Sequence, residues 1–335
     1  MIGVGMLFSV VIPVWKRPRE LELILANLQV QAQDLNELVE VILCDSLSGS
    51  EINAIVEKAK LKNSFLQILH LQTDNVVAKK RNMGIDHSQG DFLIFLDDDC
   101  VPSDDFLQEC FTNTKIMSGA VVLCGEVRFL EEMVSESNYY RYRDSRHPKN
   151  VNIMENVSLN AWTFVSMNYM VSRKELLKSR VKYGEDFFGY GAEDHDYGYQ
   201  LIECGFKIIQ AKQKIWHYEF GGDIEKYCIK VFHGSRDGMA NLQKTNSALF
   251  NSTPEKVKFI EIFFKEKGLT RSFFYFLFFN RLFFSLILGL LKGTDTYSFL
   301  YSNFLFRYLI LKSYVDGIVA RSNGDKIHLL ENWYK

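Results

Sequence analysis

Five prolines in 335 residues are too few to build a linker, and none of them clusters. The chain also lacks internal repeats and low-complexity tracts. Its length suffices for one large domain or two modest ones with a sizeable core. The six cysteines (Cys44, Cys100, Cys110, Cys124, Cys204 and Cys228) include no Cys-x-x-Cys pair. That spacing argues against a zinc site or a disulfide framework and predicts reduced thiols in a cytoplasmic chain. Lys and Arg number 39 against 41 Asp and Glu, a formal net charge of −2. A nucleic-acid binder would carry a basic excess or stripe, so nucleic acid is not an expected partner. The apolar stretch 1–15 has neither a basic leader nor a small-x-small cleavage site. Residues 9–14 therefore read as a first core strand rather than part of a signal peptide.

What the chain has in abundance is aromatic side chains, 27 Phe and 16 Tyr, many of them crowded into the C-terminal third. Its organising stretch lies earlier, at Gly90-Asp91-Phe92-Leu93-Ile94-Phe95-Leu96-Asp97-Asp98-Asp99-Cys100. The apolar run reads as a buried parallel strand. Three adjacent carboxylates at its end repel one another, and a divalent cation answers that repulsion because hard cations take carboxylate oxygens. Before this strand the pattern alternates. A strand at 9–14 leads to a helix starting at Pro18, with Leu21, Ile24, Leu25 and Leu28 on one face. A strand at 39–44, a helix at 51–60, a short strand at 66–71 and a helix at about 76–87 follow. Such alternation predicts an α/β fold with a parallel sheet and right-handed crossovers. Ligands of these sheets bind beyond the carboxyl ends of the strands, where Asp45 and Asp97 to Asp99 fall.

Four landmarks stand in order within the first 105 residues. They are Ser9-Val10-Val11-Ile12-Pro13, Val41-Ile42-Leu43-Cys44-Asp45-Ser46-x-Ser48, Ala78-Lys79-Lys80-Arg81-Asn82-Met83-Gly84, and the triple-Asp strand. Together they resemble the family 2 glycosyltransferases, which have the GT-A nucleotide-diphospho-sugar fold. The resemblance implies a mostly parallel sheet flanked by helices, a UDP-sugar donor, and Mn2+ or Mg2+. It implies that Asp45 accepts a hydrogen bond from the uracil N–H and that backbone at Pro13 and Val14 lines base and ribose. Arg81 is expected near the phosphates, with Asp97 and Asp98 completing the donor-binding set. Asp97 and Asp99 make the Asp-x-Asp motif, and the resemblance implies both as metal ligands, Asp97 also lying near the ribose. Ser46-Leu47 departs from the Asp-Gly that many members carry.

Further along, Phe106, Leu107, Cys110 and Phe111 mark a helix face and 120–124 a strand. The polar, aromatic segment 131–160 reads as a loop, either simply solvated or a mobile lid whose arginines face phosphates. Residues 160–171 read as a strand. Glu193 and Asp194 then open a helix with inner face Tyr197, Leu201 and Cys204, and acids at a helix start are favoured by its dipole whatever their chemistry. Gly189-Tyr190-Gly191-Ala192-Glu193-Asp194 also resembles the Gly-Trp-Gly-x-Glu-Asp segment of inverting galactosyl- and N-acetylgalactosaminyltransferases. That likeness implies Asp194 as general base, with Glu193 holding the acceptor or orienting the base. After a strand at 206–211, His217 falls where related enzymes place a third protein ligand of the metal. An imidazole beside carboxylates suits Mn2+, and His233 is the rival.

These readings predict a catalytic domain over 1–250, with nucleotide half 1–105 and acceptor half 106–250, and a helical extension over 251–335. Within the extension, an apolar stretch at 272–291 is interrupted by Asn280-Arg281. A spanning helix there buries Arg281 near the bilayer centre. Segments lying in the interface fit better, with basic neighbours favouring anionic lipid. A second apolar, aromatic stretch follows at 299–311. The expectation is peripheral contact with the inner face of a membrane through 256–311, the alternative being a helical hairpin packed on the catalytic domain, and a glycan or lipid-linked glycan acceptor. The reading from another class is a haloacid-dehalogenase-type sugar phosphatase, with Asp97 as nucleophile and Asp99 as acid/base. Its motif belongs on the first strand of its fold, whereas three strand–helix units precede it here.

Overall fold

The computed structural model describes residues 7–47, 50–62, 65–147, 158–187, 189–266 and 268–324. Ser48 of the second landmark, Phe188, Lys267 and residues 148–157 of the segment read as a lid lie outside the described residues. The chain forms two compact units: residues 1–130, 147–185 and 197–219 make the first, and 131–146, 186–196 and 220–335 the second.

The first unit is built on one sheet. Its strands are β1 (Phe8–Val14), β2 (Val39–Asp45), β3 (Leu66–Gln72), β4 (Phe92–Leu96), β5 (Cys100–Pro102), β6 (Val121–Phe129), β7 (Asn168–Ser172) and β8 (Lys207–His217), in the order β3-β2-β1-β4-β7-β6-β8-β5. The β1–β2, β1–β4, β2–β3 and β6–β8 pairs are parallel, and β7 and β5 run antiparallel to their neighbours. Every residue of β1 and β2 is buried, as continuous apolar strands between helical layers must be. The helices α1 (Pro18–Leu35), α2 (Ser50–Lys62), α3 (Val77–His87) and α4 (Phe106–Thr114) supply those layers. Helix α1 starts with Pro18 in its first turn and stops at Asn36, whose left-handed backbone donates to Ala32 and Gln33 carbonyls. It buries Leu21, Ile24, Leu25 and Leu28, the face its spacing predicts.

A buried polar network fixes the start of β4. Ser9 Oγ donates to Glu40 Oε2 at 2.5 Å, Gly90 N donates to Ser9 Oγ at 2.8 Å, and Gln89 N donates to Glu40 Oε2 at 2.9 Å. Each of these groups would cost free energy if left unpaired in the core.

Three expectations change. Residues 160–167 form turns, and only Asn168–Ser172 is strand. Asn160 explains this: its side chain accepts from Trp162 N at 2.9 Å, and its carbonyl accepts from Thr163 Oγ1 at 3.0 Å. Local bonds of that kind compete with extended backbone. The edge strand β5 was not anticipated, and its pairing sets Cys100 opposite His217. Cys204 is exposed rather than on a buried face, because the helix ends at Glu203 and Gly205 turns the chain at φ 86°.

The second unit is helical. The segment read as a lid folds into α5 (Glu131–Glu136) and α6 (Asn138–Asp144), the latter capped by Ser137 accepting from Tyr140 N. Tyr139 and Tyr142 lie on one face and bury against Ile224, Cys228, Leu291 and Phe306. Arg143 sits 4.1 Å from the Tyr227 ring and donates to Tyr139 Oη at 2.9 Å. Arg141 donates to the Ser298 carbonyl at 3.2 Å. These two arginines are engaged by rings and backbone of their own unit.

Beyond α7 (Arg173–Ser179), α8 (Glu193–Glu203) and α9 (Ile224–His233), a π-helix spans Gly234–Gly238. Two short helices follow, α10 (Met239–Thr245) and α11 (Ser247–Asn251), then α12 (Glu255–Lys265), α13 (Leu269–Phe278), α14 (Arg281–Gly293) and α15 (Asn303–Ser322). Residues 269–293 are long and apolar enough to cross a membrane, but the helix breaks at Asn280, whose side chain accepts from Phe283 N at 2.9 Å and caps α14. Helices α13 and α14 present large apolar side chains to solvent, Phe276 at 75% exposure and Leu282 at 69% among them. Helix α15 differs. Phe306, Leu309, Val315 and Ile318 are fully buried in the core of this unit, whereas Phe299 before it and Phe304 and Leu311 on it remain exposed.

Candidate functional site

Parallel pairing places the carboxyl ends of β2, β1 and β4 side by side, with Val14 in register with Asp45. At the β2 end, Asp45 is fully buried. Its Oδ1 accepts from Ser46 N at 2.7 Å and Leu47 N at 3.1 Å, and its Oδ2 lies 3.4 Å from His70 Nε2 on β3. Burial pushes this carboxyl up, but the His70 contact and the two backbone donors outweigh it and hold the pKa below the usual range.

At the β1 end, Lys80 of α3 reaches inward. Its Nζ donates to the Val14 carbonyl at 2.7 Å and to Asn75 Oδ1 at 2.9 Å, 5.3 Å from the Trp15 ring. Burial lowers the Lys80 pKa to about 8, although Asp98 and Asp45 oppose the shift.

The three aspartates beyond β4 have separate partners. Asp97 Oδ1 accepts from Arg81 Nη2 at 2.9 Å. The Arg81 guanidinium lies 5.1 Å from the Tyr183 ring, which stacks on Tyr197 at 3.8 Å. Asp98 turns back to the β1–α1 turn: Oδ2 accepts from Trp15 N at 2.5 Å, and Oδ1 from Arg17 Nη1 at 3.3 Å. Burial raises the Asp98 pKa to about 6. Asp99 Oδ2 lies 3.1 Å from His217 Nε2 and also contacts Arg17, while the Asp99 carbonyl accepts from Tyr218 N at 2.8 Å. The β5–β8 pairing produces this arrangement, because it holds Cys100 opposite His217.

Repulsion among the three acids is thus met by cations of the chain itself, Arg17 and Arg81. Asp99 and His217 offer a carboxylate oxygen and an imidazole nitrogen from a buried pair, a donor set that fits Mn2+. Asp97 is drawn to Arg81, and among the described residues no three His, Cys, Asp or Glu side chains converge as a ready-made metal cage. His233 lies in the second unit, 3.3 Å from Asp237 Oδ2.

In the second unit, the loop before α8 has three residues at positive φ: Gly189 at 102°, Gly191 at 94° and Ala192 at 73°. The π-helix packs tightly against this loop. A Cβ on Gly238 would stand 2.6 Å from the Gly191 carbonyl oxygen, so that position admits only glycine. Asp196 Oδ1 accepts from Asn246 Nδ2 at 2.9 Å, tying the first turn of α8 to the Asn246 cap of α11. Glu193 and Asp194 occupy that first turn.

Arg17, His70 and Lys80 escaped the sequence reading. Each had a signal. Arg17 stands three residues beyond β1, His70 lies one strand over from Asp45, and Lys80 sits inside an otherwise buried run of α3 (Ala78, Arg81, Asn82).

A family model described as Glycosyl transferase family 2 matches residues 9–176, half of the chain. The chain is 22% identical over 218 residues to glycosyltransferase GlyG of Streptococcus pneumoniae, covering 63% of this chain and 70% of that protein. It is 22% identical over 228 residues to the amylovoran biosynthesis glycosyltransferase AmsB of Erwinia amylovora, covering 63% and 69%. The solved mannosyltransferase PcManGT of Pyrobaculum calidifontis, in complex with GDP-Man and Mn2+, shares the fold with a TM-score of 0.55 and 13% identity over 95% of this chain and 87% of that one.

Proposed function

The chain belongs to the family 2 glycosyltransferases and is a sugar-transferring enzyme, and from that premise we propose an inverting, metal-dependent transferase that moves a hexose or N-acetylhexosamine from a UDP-sugar to a glycan hydroxyl. The observation that carries the proposal is the Asp99–His217 pair at the end of β4, two strands from Asp45 in the same sheet. Asp45 serves the uracil N–H, with His70 beneath it fixing its carboxylate. Pro13 and Val14 line base and ribose. Asp97 reaches the ribose and Arg81 the phosphates, while Asp99 and His217 hold the divalent cation. Asp98 belongs to the donor-binding set through the turn it ties down. When bound, Mn2+ or Mg2+ neutralises the diphosphate as it leaves. Asp194 takes the proton of the attacking hydroxyl and Glu193 orients it. Direct displacement inverts the anomeric centre and needs no enzyme nucleophile.

Calorimetry with UDP- and GDP-sugars, with and without Mn2+, tests the donor. Metal-dependent binding of a UDP-sugar is expected, and binding of GDP-sugars alone overturns that assignment. A polysaccharide or lipid-linked oligosaccharide as product is supported by the AmsB relative and by the exposed aromatic face of α13 and α14. That face, flanked by Lys256, Lys258, Lys265, Arg271 and Arg281, lies on the cytoplasmic surface of an anionic membrane. Failure of the pure protein to sediment with anionic vesicles overturns this placement.

A further inference from the structure

The two arginines of the acid cluster are unlike. The side chain of Arg81 is 4% exposed and its guanidinium is held over the Tyr183 ring, inside a stack of buried aromatic residues. The side chain of Arg17 is 37% exposed. It follows Lys16, whose φ is 52°, and occupies the N-cap of α1 without making a side-chain cap. Its guanidinium meets Asp98 Oδ1 at 3.3 Å and Asp99 Oδ2. That second oxygen is the one His217 Nε2 faces at 3.1 Å.

A guanidinium and a divalent cation compete for one carboxylate oxygen, since like charges a few ångströms apart repel. We propose that Arg17 is a displaceable counter-ion: it shields Asp99 before metal and donor arrive, competes with the divalent cation for Oδ2, and once displaced takes the donor's diphosphate. The inference rests on the metal reading of Asp99 and His217. Exposure gives Arg17 room to swing, and its planar fork matches phosphate oxygens. Metal and nucleotide diphosphate are then coupled through one side chain. Metal alone must evict the arginine, whereas metal with diphosphate gives it a new partner. By linkage each raises the other's affinity by the same factor.

The test is Mn2+ binding to the full chain, read by electron paramagnetic resonance of the free ion, with and without UDP. Arg17→Gln is expected to bind Mn2+ alone about tenfold more tightly, because a competing charge is gone. The same variant is expected to lose most of the gain in Mn2+ affinity that UDP brings to the wild type. Arg17→Lys keeps the charge without the fork and should fall between. Unchanged or weaker Mn2+ binding by a folded Arg17→Gln, in a wild type that does bind Mn2+, overturns this inference alone. Absence of Mn2+ binding in the wild type, with or without UDP, overturns the metal reading and this inference together.

Discussion

His217 Nε2 stands 3.1 Å from Asp99 Oδ2 across 118 residues of chain. If this pair holds the metal, each member should show it differently. His217→Ala should weaken Mn2+ binding by at least the roughly 10–100-fold that losing a ligand's supporting partner costs, and excess Mn2+ should recover part of the activity. Asp99→Asn should lose more and recover little. Initial rates over a Mn2+ titration separate the two.

Asp98 should behave otherwise, because its carboxylate binds the Trp15 backbone amide and Arg17. Asp98→Ala leaves that N–H without its acceptor, a loss of about 1–3 kcal/mol. A fall in Tm with Mn2+ affinity within a few-fold of wild type is expected. Thermal unfolding beside Mn2+ titration checks it, and the opposite pattern would move the metal site by one residue.

Asp194→Asn should lower kcat by about 10²–10⁴ while leaving UDP affinity intact, as removal of a general base does. Gly238→Ala should reach the same step indirectly. Its new methyl meets the Gly191 carbonyl and shifts the loop that leads into the first turn of α8, where Glu193 and Asp194 stand. Its kcat should fall together with Tm, whereas Asp194→Asn should spare Tm.

Lys80 makes stability depend on pH. Its folded pKa is lowered from 10.5 to about 8, chiefly by burial. Between those values the unfolded chain binds the extra proton, so stability rises with pH across about 8 to 10.5 and the burial cost stands in full below 8. The shift corresponds to about 3 kcal/mol. Urea midpoints at pH 7.5 and 9.5 should move upward for the wild type relative to Lys80→Met, which has no proton to lose.

The double variant Phe276→Glu, Leu282→Glu replaces two solvent-facing side chains. Exposed positions alter stability by about 0.5 kcal/mol or less, so Tm should hold. Sedimentation with anionic vesicles should drop at least tenfold, because each apolar side chain buried in the interface contributes about 1.5–3 kcal/mol.

Local patterns carried most of the nucleotide half. The i, i+3, i+4, i+7 face of α1 and the apolar runs of β1, β2 and β4 are short-range signals, and the structure buries those residues. What escaped depends on distant partners. Strand β5 is three residues long and contains Pro102, so it has no periodicity to read; only its pairing with β8 makes it a strand. Helix α6 resembled a loop because the tyrosines that bury it are polar by composition, and their contacts lie more than eighty residues downstream, while α5 buries none of its residues. Arg17 was passed over for the same reason. Its charge is plain in the sequence, but its partners, Asp98 and Asp99, are more than eighty residues away. The rest of the acid cluster was visible as three adjacent letters, without any sign that each faces a different way.

The Ser9–Glu40–Gly90 network at the other end of β4 acts as the zero mark of a ruler. From that pin the strand advances at about 3.3 Å per residue and alternates faces at every step. Seven residues on from Gly90 the chain leaves the sheet as Asp97, and the order in which the three acids turn to Arg81, Trp15 and His217 is already decided. A one-residue slip would hand every side chain of β4 to the opposite face. The chemistry at the carboxyl ends of these strands is calibrated by a serine and a glutamate buried near their amino ends.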